Sequence, residues 1–262
     1  YLLSGCKITV ITAVYNNRET VVDALESILS QSYKNVEHIV IDGGSTDGTI
    51  QAIRAFGDKI DKFVSEPDEG IYDALNKGIS LATGDVVGFL NSDDVYAHDR
   101  VLEKIARAFQ HEDADSVYGD LNYVKRDDIS QVVRHWKSHG LTQNKLRLGW
   151  MPPHPTFYVR REIYEKYGGF DTSFKIAADY DSILRFLGLH HISTTYIPEV
   201  LVKMRLGGVS NRDLKSILKK SGEDYKALKK NGIGGKRVVF MKNFTKITQF
   251  IKKEKHLKAM TD

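Results

Sequence analysis

From Lys7 to Gly119, short apolar runs alternate with stretches whose apolar residues recur every three or four positions. Lys7 to Val14 (KITVITAV) is apolar and β-branched, which predicts a buried strand. Between Arg18 and Gln31, Val22, Leu25, Ile28 and Leu29 fall at helical spacing. Val36 to Ile41 predicts a second strand. The glycine-rich turn from Asp42 to Thr49 then opens a helix over Ile50 to Phe56. A third strand at Asp61 to Ser65 is broken by Glu66-Pro67-Asp68-Glu69-Gly70, and Ile71 to Ala82 returns to helix. Val86 to Leu90 is a short apolar run that ends in Asn91-Ser92-Asp93-Asp94, followed by a helix from Arg100 to His111 and a strand at Ser116 to Gly119. This alternation predicts an α/β fold: a Rossmann-like, mostly parallel sheet with helices on both faces.

After Gly119 the pattern loosens. Asp120 to Trp136 predicts a hairpin with Val132 to Trp136 as its second arm, and Leu141 to Leu148 a short helix. Three prolines exclude regular helix from Trp150 to Pro155. A strand is expected at Thr156 to Val159, a helix at Arg161 to Tyr167 closed by Gly168-Gly169, and another helix at Asp179 to Leu187. Thr194 to Met204 alternates like an edge strand around Pro198. From Asp213 the chain reads as helical and basic, with Phe240, Phe244, Ile247 and Ile251 on one stripe.

Charge divides the chain at the same place. Residues 212–262 carry 15 Lys and Arg against 5 Asp and Glu, whereas residues 1–211 carry 23 against 29. A mildly acidic body with a basic tail suggests an anionic partner for the tail, a membrane surface or nucleic acid. The expected division is a domain over 1–211 and a basic amphipathic helical extension over 212–262. The single cysteine, Cys6, excludes an internal disulfide framework and a cysteine zinc cluster, and fits a reducing compartment. No apolar run approaches the ~20 residues of a membrane-spanning helix. Tyr1 to Cys6 is too short for a secretory leader, so none is expected.

The chemistry gathers where strands end. In open α/β sheets ligands bind at the carboxyl edge, which is where Asp42, Asp68, Asp93 and Asp94 fall. A carboxylate such as Asp42 can accept hydrogen bonds from a base N–H or a ribose hydroxyl, or it can cap the following helix. Asp93 and Asp94 offer hard oxygens suited to Mg²⁺ or Mn²⁺ carried on a diphosphate, or they form an Asp-rich turn. There is no Gly-x-Gly-x-x-Gly after the first strand and no Gly-x-x-x-x-Gly-Lys-Ser/Thr, which disfavours the usual dinucleotide and P-loop readings.

Five stretches taken together resemble the inverting family 2 glycosyltransferases of GT-A fold. They are Ile11 to Asn16, Ile41 to Thr49, Asp68 to Gly78, Phe89 to Asp94, and Ala178-Asp179-Tyr180-Asp181, in family order across roughly residues 7 to 205. The resemblance implies transfer of a sugar from a nucleotide-sugar, a UDP-sugar being expected, to a glycan or polyprenyl-diphosphate-linked acceptor. It implies a Mn²⁺ or Mg²⁺ ion on Asp94 with Asp93, the latter on metal or ribose, and donor contacts from Tyr15, Asp42, Asp68, Lys77 and Arg205. Arg205, Gly207 and Gly208 would form a mobile loop over the donor. Asp179 takes the place of the general base, with Asp181 as its competitor, and His154 lies near the acceptor or the donor phosphates. Asn91 replaces the motif's frequent first Asp, and Ala178 replaces its usual Glu. The tail is expected at the anionic inner face of the plasma membrane of a cytoplasmic enzyme, or packed on the body or a second subunit; nucleic acid is not an expected partner. Two rival readings stand beside it: a sugar nucleotidyltransferase, which would show a triphosphate loop after the first strand, and a catalytically idle binding or scaffold protein.

Overall fold

The computed structural model describes residues 5–207 and 214–242. Strand β1 (Ile8–Val14) is buried along its whole length and is followed by α1 (Val21–Leu29), β2 (Val36–Asp42) and α2 (Thr49–Arg54). Then come β3 (Lys62–Ser65), α3 (Ile71–Leu81), β4 (Val86–Phe89), the two-residue β5 (Val95–Tyr96) and α4 (Val101–His111). The second half holds β6 (Ser116–Val124), β7 (Val132–Trp136), α5 (Gln143–Arg147), β8 (Tyr158–Arg160), α6 (Arg161–Tyr167) and α7 (Ala178–Ile183). A π-helical turn over Leu184–Leu189 extends α7, and β9 (Thr194–Arg205) and α8 (Leu214–Lys230) follow.

The nine strands among the described residues form one sheet in the order β3-β2-β1-β4-β8-β6-β9-β5, with β7 pairing on β6. The strands β3, β2, β1 and β4 are mutually parallel, so Asp42, Ser65 and Phe89 end on the same edge as Val14. Strand β8 runs antiparallel to both β4 and β6 and joins this block to the second half. Alternate residues of β1 feed opposite layers: Ile11 and Ala13 join one core with α3, and Ile8 and Val10 join another with α4. Helix α3 lies close on β1 because Gly78 has no side chain. A Cβ there would fall 2.4 Å from Ile11 Cγ2.

Two expectations change here. β9 is not a plain edge strand, because it pairs parallel with β6 along its length and antiparallel with β5. Pro198 is accommodated by a register shift between Gly119↔Ile197 and Asp120↔Val200, since a bulge needs no ladder donor. The expected C-terminal tail is also not separate from the start: Ala227, Leu228 and Val238 are buried in the main core beside Ile183 and Leu187. The chain over 219–242 thus belongs to the body. Of the apolar stripe, Phe240 is exposed, whereas Phe244, Ile247 and Ile251 lie outside the described residues.

Candidate active site

Four loops meet at the carboxyl ends of β1, β2, β3 and β4, and short polar side chains stitch them together. Asn16 takes a left-handed conformation, φ 46°, in which its N–H donates to Ser45 Oγ at 2.8 Å and its Oδ1 accepts from Thr46 N at 2.9 Å. Asn17 Nδ2 donates to Ser92 Oγ at 2.9 Å, and Thr20 Oγ1 to the Ser92 carbonyl at 3.0 Å. These bonds fix the loop after β1 against the loops after β2 and β4. Tyr15, the first residue beyond β1, is left 65 % exposed at the mouth.

Asp42 is fully buried, and its two oxygens differ. Oδ2 accepts from Gly44 N and Ser45 N, each at 3.0 Å, and from Ser65 Oγ at 2.7 Å. Oδ1 has no hydrogen-bond partner among the described residues. Helix capping is not its task, because Asp47 Oδ1 accepts the Thr49 N–H at 3.0 Å. A buried carboxylate oxygen without a donor costs free energy, about 1–3 kcal/mol or more, until a ligand supplies one. Asp68 stands next to it across Gly43, where a Cβ would lie 2.5 Å from Asp68 Oδ2. Its Oδ1 accepts from Gly70 N at 2.9 Å, shaping the turn into α3.

The acidic pair after β4 divides its work. Asp94 is 1 % exposed; its Oδ2 accepts from Asn91 Nδ2 at 3.0 Å and its Oδ1 from Arg205 N at 3.2 Å. Asp93 is half-buried. Burial pushes both carboxyls above their usual range; the charge of Asp93 adds to the effect at Asp94, while Arg126 and Arg205 oppose it at Asp93. Both oxygens of Asp94 already accept a hydrogen bond inside the protein and the side chain is buried, which leaves Asp93 better placed than Asp94 to meet a metal. The expected role of Arg205 is corrected. It is the last residue of β9, 5 % exposed, and donates to the Arg126 carbonyl at 3.0 Å, to the Asp93 carbonyl at 2.9 Å and to Asp23. It braces the acidic turn rather than lying in a mobile loop; Gly208 of that loop lies outside the described residues.

The donor set nonetheless fits a divalent ion delivered with a diphosphate. The carboxylate of Asp93 and the amide oxygen of Asn91, whose Nδ2 is spent on Asp94, are hard ligands. No cluster of three or more metal-binding side chains occurs among the described residues, so phosphate oxygens and water would complete the shell. Lys77 is held by Glu66 at 2.9 Å, Asp73 at 3.4 Å and the Pro67 carbonyl at 3.2 Å, on the rim beside the Asp68 turn. Its placement does not support the expected phosphate contact.

Asp179 enters from the second half, in the first turn of α7. Its Oδ1 accepts from the Tyr72 hydroxyl at 3.2 Å, and its Oδ2 lies 3.1 Å from His154 Nδ1. Tyr72 opens α3 four residues after Asp68, so this contact carries Asp179 to the edge that holds Asp42 and Asp68. Burial alone would raise the Asp179 pKa. The charges of His154, Lys220 and Lys242 and the Tyr180 backbone N–H outweigh it and hold the carboxyl below its usual value. Burial lowers the His154 pKa, helped by Lys220 and opposed by Asp179. His154 Nδ1 faces Asp179 Oδ2, so the ring is placed to donate Nδ1–H to the carboxylate. Asp181 is corrected as a rival base or acceptor contact. It is fully buried and bonded to Asn231 Nδ2 at 2.9 Å, Lys230 at 3.1 Å and Arg185 at 3.3 Å.

Sequence reasoning missed Tyr72, Asn16 and Glu223. The first two lie inside motif stretches, where only their neighbours drew attention. Glu223 carries no local signal, because its partners are 46 to 48 residues away.

The profile of glycosyl transferase family 2 matches residues 9–172. A PGL/p-HBAD biosynthesis glycosyltransferase of Mycobacterium bovis is 29 % identical over 192 residues, covering 71 % of this chain and 72 % of that protein. The structure resembles Staphylococcus aureus TarS residues 1–349 in complex with UDP-GlcNAc, with a TM-score of 0.65 at 18 % identity over 85 % of this chain and 71 % of that one. It also resembles a mannosyltransferase of Pyrobaculum calidifontis in complex with GDP-Man and Mn²⁺, with a TM-score of 0.64 at 22 % identity over 90 % of this chain and 69 % of the other. With its mostly parallel sheet and the strand-edge loops that define the site, this chain is a GT-A-fold enzyme and belongs to glycosyl transferase family 2.

Proposed function

We propose that this glycosyltransferase inverts the anomeric centre, moving a sugar from a nucleoside-diphosphate sugar to a hydroxyl of a glycan or polyprenyl-diphosphate-linked acceptor. The observation that carries this reading is the placement of Asp179, one ionised carboxylate held by Tyr72 at the strand edge that bears Asp42, Asp68 and Asp93. The unpartnered Asp42 Oδ1 supports a base N–H as donor contact, with Asp68 beside it for the nucleoside and Tyr15 at the mouth. UDP-GlcNAc and GDP-Man in the two structural relatives support a nucleotide-sugar, and a UDP-sugar is the expected donor here.

Asp93, with Asn91, would hold Mn²⁺ or Mg²⁺. When bound, such an ion neutralises charge on the leaving diphosphate. Asp179 accepts the proton of the acceptor hydroxyl as its oxygen attacks the anomeric carbon. The new C–O bond forms on the face opposite the breaking bond to phosphate, so configuration inverts and the diphosphate departs with the electron pair. The depressed pKa keeps Asp179 ionised at neutral pH, and His154 and Tyr72 fix its rotamer. His154, read from the sequence as an acceptor or phosphate contact, acts here through the base.

Asp179→Asn keeps the shape and loses the proton acceptor. Transfer should fall about 10²- to 10⁴-fold while the nucleotide-dependent thermal shift stays within a degree of wild type. Turnover at the wild-type rate would remove Asp179 from the role.

No helix among the described residues is long and apolar enough to cross a membrane. The reading extends to residues 243–262, which carry Phe244, Ile247, Phe250 and Ile251 together with five lysines, as an interfacial contact with anionic lipid on the cytoplasmic side.

A further inference from the structure

The geometry points to Glu223 of α8 as a positioning residue for Asp179, which makes the C-terminal segment an integral part of the catalytic centre. The inference rests on the reading of Asp179 as the base. Glu223 Oε2 accepts from Ile176 N at 2.8 Å, Ala177 N at 3.0 Å and Lys175 N at 3.1 Å, three successive backbone donors just before α7. Charge-assisted bonds of this kind are shorter and stronger than neutral ones. The other side of the same peptide run is gripped from α3, where the Tyr72 hydroxyl donates to the Ile176 carbonyl at 2.7 Å and also reaches Asp179 Oδ1. Ile176 is therefore clamped through its N–H by α8 and through its carbonyl by α3, three residues before the base.

The clamp is rooted rather than superficial. Ala227 and Leu228, one helical turn beyond Glu223, are fully buried in the main core. Asn231 and Lys230 bond Asp181, two residues after the base. The buried Lys242–Asp224 pair, 2.9 Å apart, ties the helical stretch at 236–242 to α8 next to Glu223. Ala178 offers no side-chain acceptor, and the N–H groups of Lys175, Ile176 and Ala177 take theirs from α8.

A small displacement of a catalytic group is expensive in rate, up to about 100-fold for 1 Å. Glu223→Gln removes the charge and keeps one acceptor; Glu223→Ala removes both. We expect kcat for sugar transfer to fall about tenfold and up to about 100-fold respectively, with the donor KM within about threefold of wild type. In an Asp179→Asn background Glu223→Gln should leave the residual turnover unchanged, since the group it positions is gone. If Glu223→Ala does not fold, Glu223→Gln decides. Wild-type kcat in Glu223→Gln, or a fall in kcat matched by equal losses of donor affinity and melting temperature, overturns the positioning role. Full turnover in Asp179→Asn would instead overturn the base assignment, whatever Glu223 does.

Discussion

Asp93 and Asp94 are adjacent in the chain yet have different environments, and Arg205 decides which is which. Its backbone N–H takes one oxygen of Asp94 and its guanidinium the Asp93 carbonyl, so Asp94 is fully buried while Asp93 is only half-buried. Asp93→Ala should abolish the divalent-ion-dependent part of nucleotide binding with melting temperature nearly unchanged. Asp94→Ala leaves Asn91 and the Arg205 N–H without their acceptor, a loss of about 2–4 kcal/mol and about 5–10 °C. Thermal shift with UDP, with and without Mn²⁺, reads both; lost ion dependence at an unchanged melting temperature in Asp94→Ala would place the ion on Asp94. The acidic motif was legible in the sequence. The division of labour was not, because it depends on a residue 111 positions away. Asn76-Lys77-Gly78 shows the reverse. Its pattern suggested a phosphate contact, but Asn76 bonds both the N–H and the carbonyl of Phe170 at 2.8 Å, Lys77 pairs with Glu66, and Gly78 admits Ile11.

At the level of elements, the strands β1, β2 and β4 were readable because burial on both faces leaves apolar, β-branched runs, interrupted in β1 only by Thr9 and Thr12 and within β2 by Glu37 and His38. Helices α1, α3 and α4 were readable because only one stripe of each is buried. Strand β8 has three residues and no periodicity to show that it runs antiparallel. The packing of α8 was hidden for another reason: a helix rich in lysine looks solvated until its Ala227-Leu228 edge is placed against α7. Element packing also yields a test. Gly78→Ala should gain a little helix propensity and lose more to overlap with Ile11, a net cost of about 1–3 kcal/mol seen as a lower denaturation midpoint. A raised midpoint would mean that α3 can move off β1 without penalty.

Across the whole molecule, the contrast between an acidic body and a basic C-terminal segment is partly resolved inside the fold. Lys230 meets Asp171 and Asp181, and Glu223 caps backbone of the body, so α8 docks by charge as well as by apolar burial. The charge count revealed the asymmetry without revealing that the chain is its own partner as far as residue 242. The lipid contact proposed above therefore rests on 243–262 alone. The full chain should float with vesicles containing phosphatidylglycerol and stay unbound with phosphatidylcholine alone, and a chain ending at 242 should lose flotation while keeping its melting temperature. Equal flotation of both chains would remove the proposed lipid contact.

The sheet also carries a consequence for how the two halves are held. Within the sheet, the β3-β2-β1-β4 block pairs with the rest only through β8, by Val86↔Arg160 and Val87↔Val159. Gly88 must stay bare at that seam, because a Cβ there would overlap the Tyr158 ring. Side chains therefore do much of the joining: Asn76 grips Phe170, Tyr72 grips Ile176, and Arg205 reaches back to Asp23 and the Asp93 carbonyl.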